Sequence, residues 1–340
     1  MLRKVEDVNE LKDSPVRRER PKVVVLTSPT TTPPYNLEKL EEQAELVWAT
    51  ADSLPDALPG AEILFVWDFF STALRDAWDH ADSLRWVHVA AAGVDTLLFD
   101  GLRDSDVVIT NARGAFDGPI AEFVLASILA HDKLLHESKD LQRQSVWRHR
   151  EGALTAGSHA LVVGTGGIGR AIARLLRAVG MEVMGAGRLA RDDDPDFGTV
   201  VPTEELARHV AWADHLVLIA PLTEQTRGIV NGEVLAAMKP TAHLVNVGRG
   251  PLVDEPALVD ALRSGSIAAA SLDVFTEEPL PPTHPFWGMP NVHISAHMSG
   301  DVVGWRDTLA DQFADNLVRW RRGEELANGV DKQLGYARGR

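Results

Sequence analysis

The sequence holds no cysteine. That absence removes thiolate catalysis, cysteine-ligated zinc, iron–sulfur clusters and disulfides, and with them any need for an oxidising compartment. Basic charge is also scarce: 34 lysines and arginines stand against 49 aspartates and glutamates, a formal net charge of −15. Binding a nucleic-acid duplex needs clustered Lys and Arg, which this chain does not concentrate, so no nucleic-acid partner is expected. No apolar run approaches the length that crosses a bilayer. The opening stretch, MLRKVEDVNELKDSPVRRERPK, is charged throughout and lacks the apolar core of a signal peptide. The expectation is a cytoplasmic protein without membrane contact, carrying a poorly ordered N-terminal extension. Internal repeats and low-complexity segments are missing as well.

What is present suits two domains, since 340 residues with 45% hydrophobic content exceed one comfortable core. KVVVL (22–26) is a β-branched run that reads as a buried strand, followed by ILFVW (63–67), LRWVHV (84–89) and VVIT (107–110). Helical stretches are expected between them near 37–45 and 72–80, and such alternation predicts a parallel sheet. From Pro119 a single long amphipathic helix, PIAEFVLASILAHDKLLHESKDL, leads into a second unit. That unit opens with HALVVGTGGIGRAIARLLRAVG: a strand, a glycine turn, and a helix with Ile168, Ile172, Leu175, Leu176 and Val179 on one face, ended by Gly180. EVMGAG, HLVLIA (215–220), AHLVNV (242–247), AAASLDVF (268–275) and VHIS (292–295) complete six strands, the rhythm of a doubly wound sheet. A last helix after residue 300 could pack back on the first domain.

Gly164, Gly166 and Gly169 form G-x-G-x-x-G between strand and helix, the context in which the motif signals dinucleotide binding. Gly164 permits the tight turn, Gly166 lets the backbone approach a pyrophosphate, and Gly169 allows close packing of helix on strand. After the second strand a carboxylate would bond both ribose hydroxyls of NAD and repel a 2′-phosphate, but the chain has Gly187, then Arg188 and Arg191. Guanidinium groups suit the 2′-phosphate of NADP, so NADP(H) is the preferred cofactor, with NAD(H) possible. The alternative is a solvated pair of arginines neutralised by Asp192, Asp193 and Asp194.

Three later stretches carry polar residues at strand ends: VNVGRGPLVDE (245–255), SLDVFTEEP (271–279) and NVHISAHMSG (291–300). With the preceding APLTEQTRGIVNGEVLAAMKP, they resemble the D-isomer-specific 2-hydroxyacid dehydrogenases, most of all the NADP-linked glyoxylate/hydroxypyruvate reductase type, strongly from about 107 to 300 and weakly over VHVAAAGVDTLLF. The resemblance implies Arg249, Glu278 and His297 as the catalytic set. Arg249 would grip the carboxylate or keto oxygen, His297 would supply the proton, and Glu278 would hold the imidazole in its charged form. It further implies Asp273 at the nicotinamide carboxamide, Ala92 and Gly93 at the substrate carboxylate, and Gly167, Ile168, Pro221, Thr226 and Val247 around the cofactor. Singly, each has a blander reading: Arg249 a strand-end salt bridge, Glu278 half of a solvated pair with Glu277, His297 a hinge histidine, Asp273 a buried capping aspartate, and AAAGVD an ordinary turn. Ala296 departs from the family's proline before the histidine, and Glu278 disfavours formate oxidation, for which relatives carry glutamine.

No metal is expected, because His293 and His297 lie on a strand running into a loop with no further ligand nearby. No nucleophile elbow exposes Ser295 or Ser299. Trp67, Phe69 and Phe70 face either a substrate pocket or the core. The resulting expectation is an α/β chain of two domains: a flavodoxin-like substrate domain (1–118 plus 298–340) and a Rossmann-type cofactor domain (119–297), closing over a small 2-keto acid. A homodimer joined through the cofactor domains, by the long helix and the arm DLQRQSVWRHREG, is also implied. The alternative of another class is a dinucleotide-sensing, corepressor-like binding protein.

Overall fold

A computed structural model of the chain describes residues 20–29, 32 and 37–336, so the N-terminal extension expected from the sequence lies outside the described residues. The chain packs as two compact units. One comprises residues up to 90, 99–111 and 306–330; the other comprises 91–98, 112–305 and 331 onward.

The first unit holds a parallel sheet of β1 (Lys22–Leu26), β2 (Glu45–Ala49), β3 (Ile63–Val66), β4 (Trp86–Val89) and β5 (Val108–Asn111), in the order β2-β1-β3-β4-β5. This is the flavodoxin-like order. Strands β3 and β4 are buried on both faces, which is why they read as unbroken apolar runs. From Arg306 on, the helix Trp305–Arg322 belongs to this unit, and its Phe313 stacks on Phe65 at 4.2 Å between centroids. The helix expected near 37–45 is instead a short 3-10 turn, Leu37–Leu40, followed by β2. β2 is a half-exposed edge strand, so its sequence carries no run of buried positions. Trp67 belongs to the core, its indole N–H donating to the Thr32 carbonyl at 2.8 Å, while Phe70 is exposed.

The second unit holds β6 (His159–Val163), β7 (Glu182–Gly187), β8 (Arg191–Asp194), β9 (Gly198–Pro202), β10 (His215–Leu218), β11 (His243–Asn246), β12 (Ala269–Leu272) and β13 (Val292–Ile294). Their order is β13-β12-β11-β10-β6-β7-β9-β8. Taken from β9 to β12, this is the doubly wound 3-2-1-4-5-6 arrangement, with its switch point between β6 and β10. Eight strands stand where six are expected. The additional pair, β8 and β9, is an antiparallel hairpin whose β8 reads RDDD. Ion pairs secure it: Asp194 is buried and takes both Nη atoms of Arg170 at 3.0 Å and Nε of Arg191 at 2.7 Å.

The long helix is broken in two, Asp117–Asp132 and Leu135–Arg143, at Leu134, which adopts a left-handed φ of 53°. No glycine or proline marks that break in the sequence. No helix among the described residues is long and apolar enough to cross a membrane.

Candidate active site

At the end of β6, Gly164 has a φ of +116°, and a Cβ there would stand 2.6 Å from the backbone at Ile219 and Ala220, just past β10. Gly169 sits where a side chain would run into the Gly164 carbonyl. Both are therefore glycine for the protein's own packing. Gly166 differs: it caps the helix Gly167–Ala178, and nothing lies within 4 Å of an added Cβ. Packing does not demand glycine here, whereas an uncovered backbone at a helix N-terminus, beside the switch point, fits a pyrophosphate. Gly167 opens the helix next to Asp117, and burial pushes the Asp117 carboxyl up against the opposing charges of Arg113 and Arg174. A carboxyl biased toward its neutral form adds less repulsion beside bound phosphates.

The remaining cofactor candidates are placed as follows. Gly187 ends β7, and a Cβ there would meet Thr165 Oγ1 at 2.9 Å. Arg188 is exposed and donates from Nη1 to the Tyr336 hydroxyl at 3.0 Å. Arg191 is held in the hairpin by Asp194. The Thr226 hydroxyl donates to the Pro221 carbonyl at 2.6 Å, closing the turn after β10. Ile168 packs into the apolar layer beneath the glycine helix, and Val247 is buried there.

Arg249 follows β11 in the loop NVGRG. Asn246 braces this loop from both sides, donating from Nδ2 to the Arg249 carbonyl and accepting from the Gly248 N–H. Gly250 has the Phe275 backbone where a Cβ would stand, so the loops after β11 and β12 press together. The guanidinium lies against Gly93, leaving no room for a side chain there. Its Nε and Nη2 face the Asp95 carboxylate at 3.1 Å, and Nη1 donates to the Gly248 carbonyl at 2.8 Å. Ala92 and Gly93 are thus brought next to Arg249 within one unit. Asp95 and Asn246 belong to the constellation although sequence reading assigned neither a role. Asp95 lies in AAAGVD and Asn246 in VNVGRGPLVDE.

His297 sits in the loop after β13 with a φ of 51°, an uncommon conformation for a non-glycine residue. Its Nδ1 is 2.7 Å from Glu278 Oε2, while Glu278 Oε1 accepts the Phe275 N–H at 2.8 Å. Burial alone would raise the Glu278 carboxyl, but hydrogen bonds from His297 and Phe275, with the charges of His297 and Arg249, hold it below the usual range. Asp273 is completely buried, and both its oxygens are engaged by the loop carrying His297: Oδ1 accepts from the Ser295 hydroxyl and the Met298 N–H, Oδ2 from the Ser299 N–H. The Asp273 carbonyl accepts the His297 N–H at 2.8 Å. These bonds fix where His297 stands. His293 takes no part in this pair and stacks on His136 at 3.5 Å.

A carboxylate-held imidazole and an oriented guanidinium, in the unit that carries the glycine turn, supply a proton donor, an anion grip and a dinucleotide seat. That is the chemistry of a nicotinamide-linked dehydrogenase of 2-hydroxy acids. The chain belongs to the D-isomer specific 2-hydroxyacid dehydrogenase family, whose NAD-binding-domain model matches residues 125–299. It is 31% identical over 315 residues to the glyoxylate reductase of Korarchaeum cryptofilum, covering 89% of this chain and 94% of that one. Among solved structures it is similar to a D-isomer specific 2-hydroxyacid dehydrogenase from Xanthobacter autotrophicus in complex with NADPH and MES, with a TM-score of 0.79, 31% identity, and 93% and 100% of the two chains covered. It is similar also to an NADPH-dependent glyoxylate/hydroxypyruvate reductase from Sinorhizobium meliloti in complex with NADP and sulfate, with a TM-score of 0.80, 27% identity, and 94% and 100% covered. The chain is an NAD(P)-dependent 2-hydroxyacid dehydrogenase acting on a CH–OH group.

Proposed function

We propose that this enzyme is an NADPH-dependent reductase of small 2-keto acids, with glyoxylate and hydroxypyruvate as its first substrates, giving the D-2-hydroxy acid. The observation carrying the reading is the pairing of His297 with Glu278 beside an Arg249 already oriented by Asp95. The names of the relatives support the substrate class, and Gly187 followed by Arg188 supports the phosphorylated cofactor, since no carboxylate opposes a 2′-phosphate at that strand end.

The glycine turn and the residues after β7 would hold NADPH, which supplies the hydride when bound. Because Nδ1 of His297 is engaged by Glu278, the ring's other nitrogen, Nε2, is the atom that delivers a proton to the keto oxygen. Glu278 remains a carboxylate through the reaction and keeps Nδ1 protonated. Arg249 binds the substrate carboxylate with the donors Asp95 leaves available, next to the backbone at Ala92 and Gly93. In the oxidative direction Nε2 takes the proton back.

Residues 1–118 plus 298–340 then act as substrate domain and 119–297 as cofactor domain. Association of two chains through the second unit accounts for the arm after the Leu135–Arg143 helix, where Trp147 is fully exposed with Val146 and Leu154 partly so. The test of the substrate class is NADPH consumption across a panel of 2-keto acids. Turnover highest with glyoxylate or hydroxypyruvate supports the reading, and none with any member overturns it.

A further inference from the structure

Residues Asp331–Tyr336, beyond the last helix, belong to the unit that carries the glycine turn. They form a closed turn. Asp331 Oδ1 accepts the N–H groups of Gln333 and Leu334, its carbonyl accepts that of Gly335, and its own N–H donates to the Tyr336 carbonyl. Gly335, at a φ of +76°, makes the reversal possible and packs on Leu98. The half-buried Tyr336 is thereby set with its hydroxyl 3.0 Å from Arg188 Nη1, although 148 residues separate the two in sequence.

The direction of this bond has a chemical consequence. A guanidinium only donates, so the tyrosine oxygen is the acceptor and its own proton stays available for an anionic oxygen. Arg188 keeps its remaining donors for the same anion. At the same strand end, Thr165 Oγ1 stands 2.9 Å from where a side chain at Gly187 would begin, so an acidic residue there would crowd the threonine.

We propose that Tyr336 is a cofactor-selectivity residue: its hydroxyl, held by Arg188, donates to the 2′-phosphate of NADPH, which makes the chain's C-terminal turn part of the cofactor site. This inference rests on the NADPH reading above and names a further contact within it. To NADH the same hydroxyl offers only the weaker bond between neutral groups, because the 2′ position there carries a hydroxyl rather than a dianion.

The experiment is fluorescence titration of NADPH and NADH into full-length wild type, Tyr336→Phe and Arg188→Ala, with adenosine 2′,5′-bisphosphate as competing probe. Tyr336→Phe keeps the ring and its packing, and is expected to weaken NADPH and the bisphosphate about tenfold or more, the range of a single hydrogen bond to a charged group, with NADH within about twofold to threefold of wild type. If Arg188→Ala weakens NADPH while Tyr336→Phe does not, the inference fails and the NADPH reading stands. Equal weakening of NADPH and NADH by Tyr336→Phe means the turn acts through the fold, and also overturns the inference. If neither variant changes NADPH binding, both readings of this strand end fail.

Discussion

At Arg249 one side chain answers to three neighbours at once, and each removes a freedom. Asp95 takes one edge of the guanidinium, the Gly248 carbonyl takes part of another, and Gly93 presses on it where no side chain fits. A guanidinium fixed in this way offers its remaining donors in a set direction, which is what binding a planar carboxylate requires. Asp95→Asn preserves shape but loses the charge, so the arginine is held less firmly and kcat/KM falls about tenfold or more, with KM carrying most of the loss; steady-state kinetics with the best keto acid checks this. An unchanged KM would mean that Asp95 only neutralises charge. Arg249, Glu278 and His297 were singled out in the sequence by the family resemblance of their segments taken together, and the structure pairs Glu278 with His297. The Asp95–Arg249 bond was not legible there, because its partners are 154 residues apart and nothing local in AAAGVD distinguishes a positioning carboxylate from a turn residue. For Asp273 the sequence left two readings open, and its bonds to the 295–299 loop are compatible with both.

Elements written in apolar runs were legible; those held together by other forces were not. The strands β3, β4, β10 and β11 are buried throughout and announce themselves. The strand β8 is RDDD, and no periodicity predicts it. It pairs because Arg170, on the glycine helix, and Arg191 compensate Asp194, whose carboxyl is held far below the usual range: the opposing cost of burial is outweighed by these guanidinium bonds and by the N–H groups of Asp196 and Phe197. The three aspartates after Arg188 thus split in role, with Asp194 turned inward as a structural anchor while Asp192 and Asp193 stay exposed. The break at Leu134 was equally silent, and it starts the short helix that leads to the arm at Trp147. If this arm joins two chains, Trp147→Asp places a charge in the joint. Light scattering should then read a dimer for wild type and a monomer, or a mixture dominated by it, for the variant. A wild-type monomer, or a variant dimer of unchanged strength, contradicts that assignment.

Alternation of strand and helix predicted parallel sheets in both units, and the family resemblance implied the flavodoxin-like substrate domain; the strand orders themselves are what the structure adds. A whole-molecule property not readable from sequence is the gathering of histidines in the second unit. His131, His215 and His243 are ring neighbours, with His136 stacked on His293 close by, although they come from five different elements. Burial first, then mutual repulsion, keeps them neutral: His243 is held well below its ordinary value and His293 is pushed down to about 4, with Asp132, Asp140 and Asp214 opposing only in part. The unfolded chain binds protons at these sites near pH 6.5, the folded chain only at lower pH. Stability is therefore full above about pH 6.5 and is lost as the pH falls toward 4, by up to about 1.4 kcal/mol per pH unit for each histidine that stays neutral. Melting temperature should drop by several degrees between pH 7 and pH 5, and a flat profile across that window would contradict the neutral cluster.

The central claim is that His297, set by Glu278, delivers the proton while NADPH is the cofactor used. Its most direct test is the rate of NADPH and of NADH consumption with glyoxylate and hydroxypyruvate, in wild type and in His297→Ala at equal cofactor saturation. The account predicts a higher kcat/KM with NADPH than with NADH for the wild type, and a loss of about 100-fold or more in kcat for the variant with cofactor binding intact. Turnover by His297→Ala at the wild-type rate, or NADH serving as well as NADPH, would contradict it.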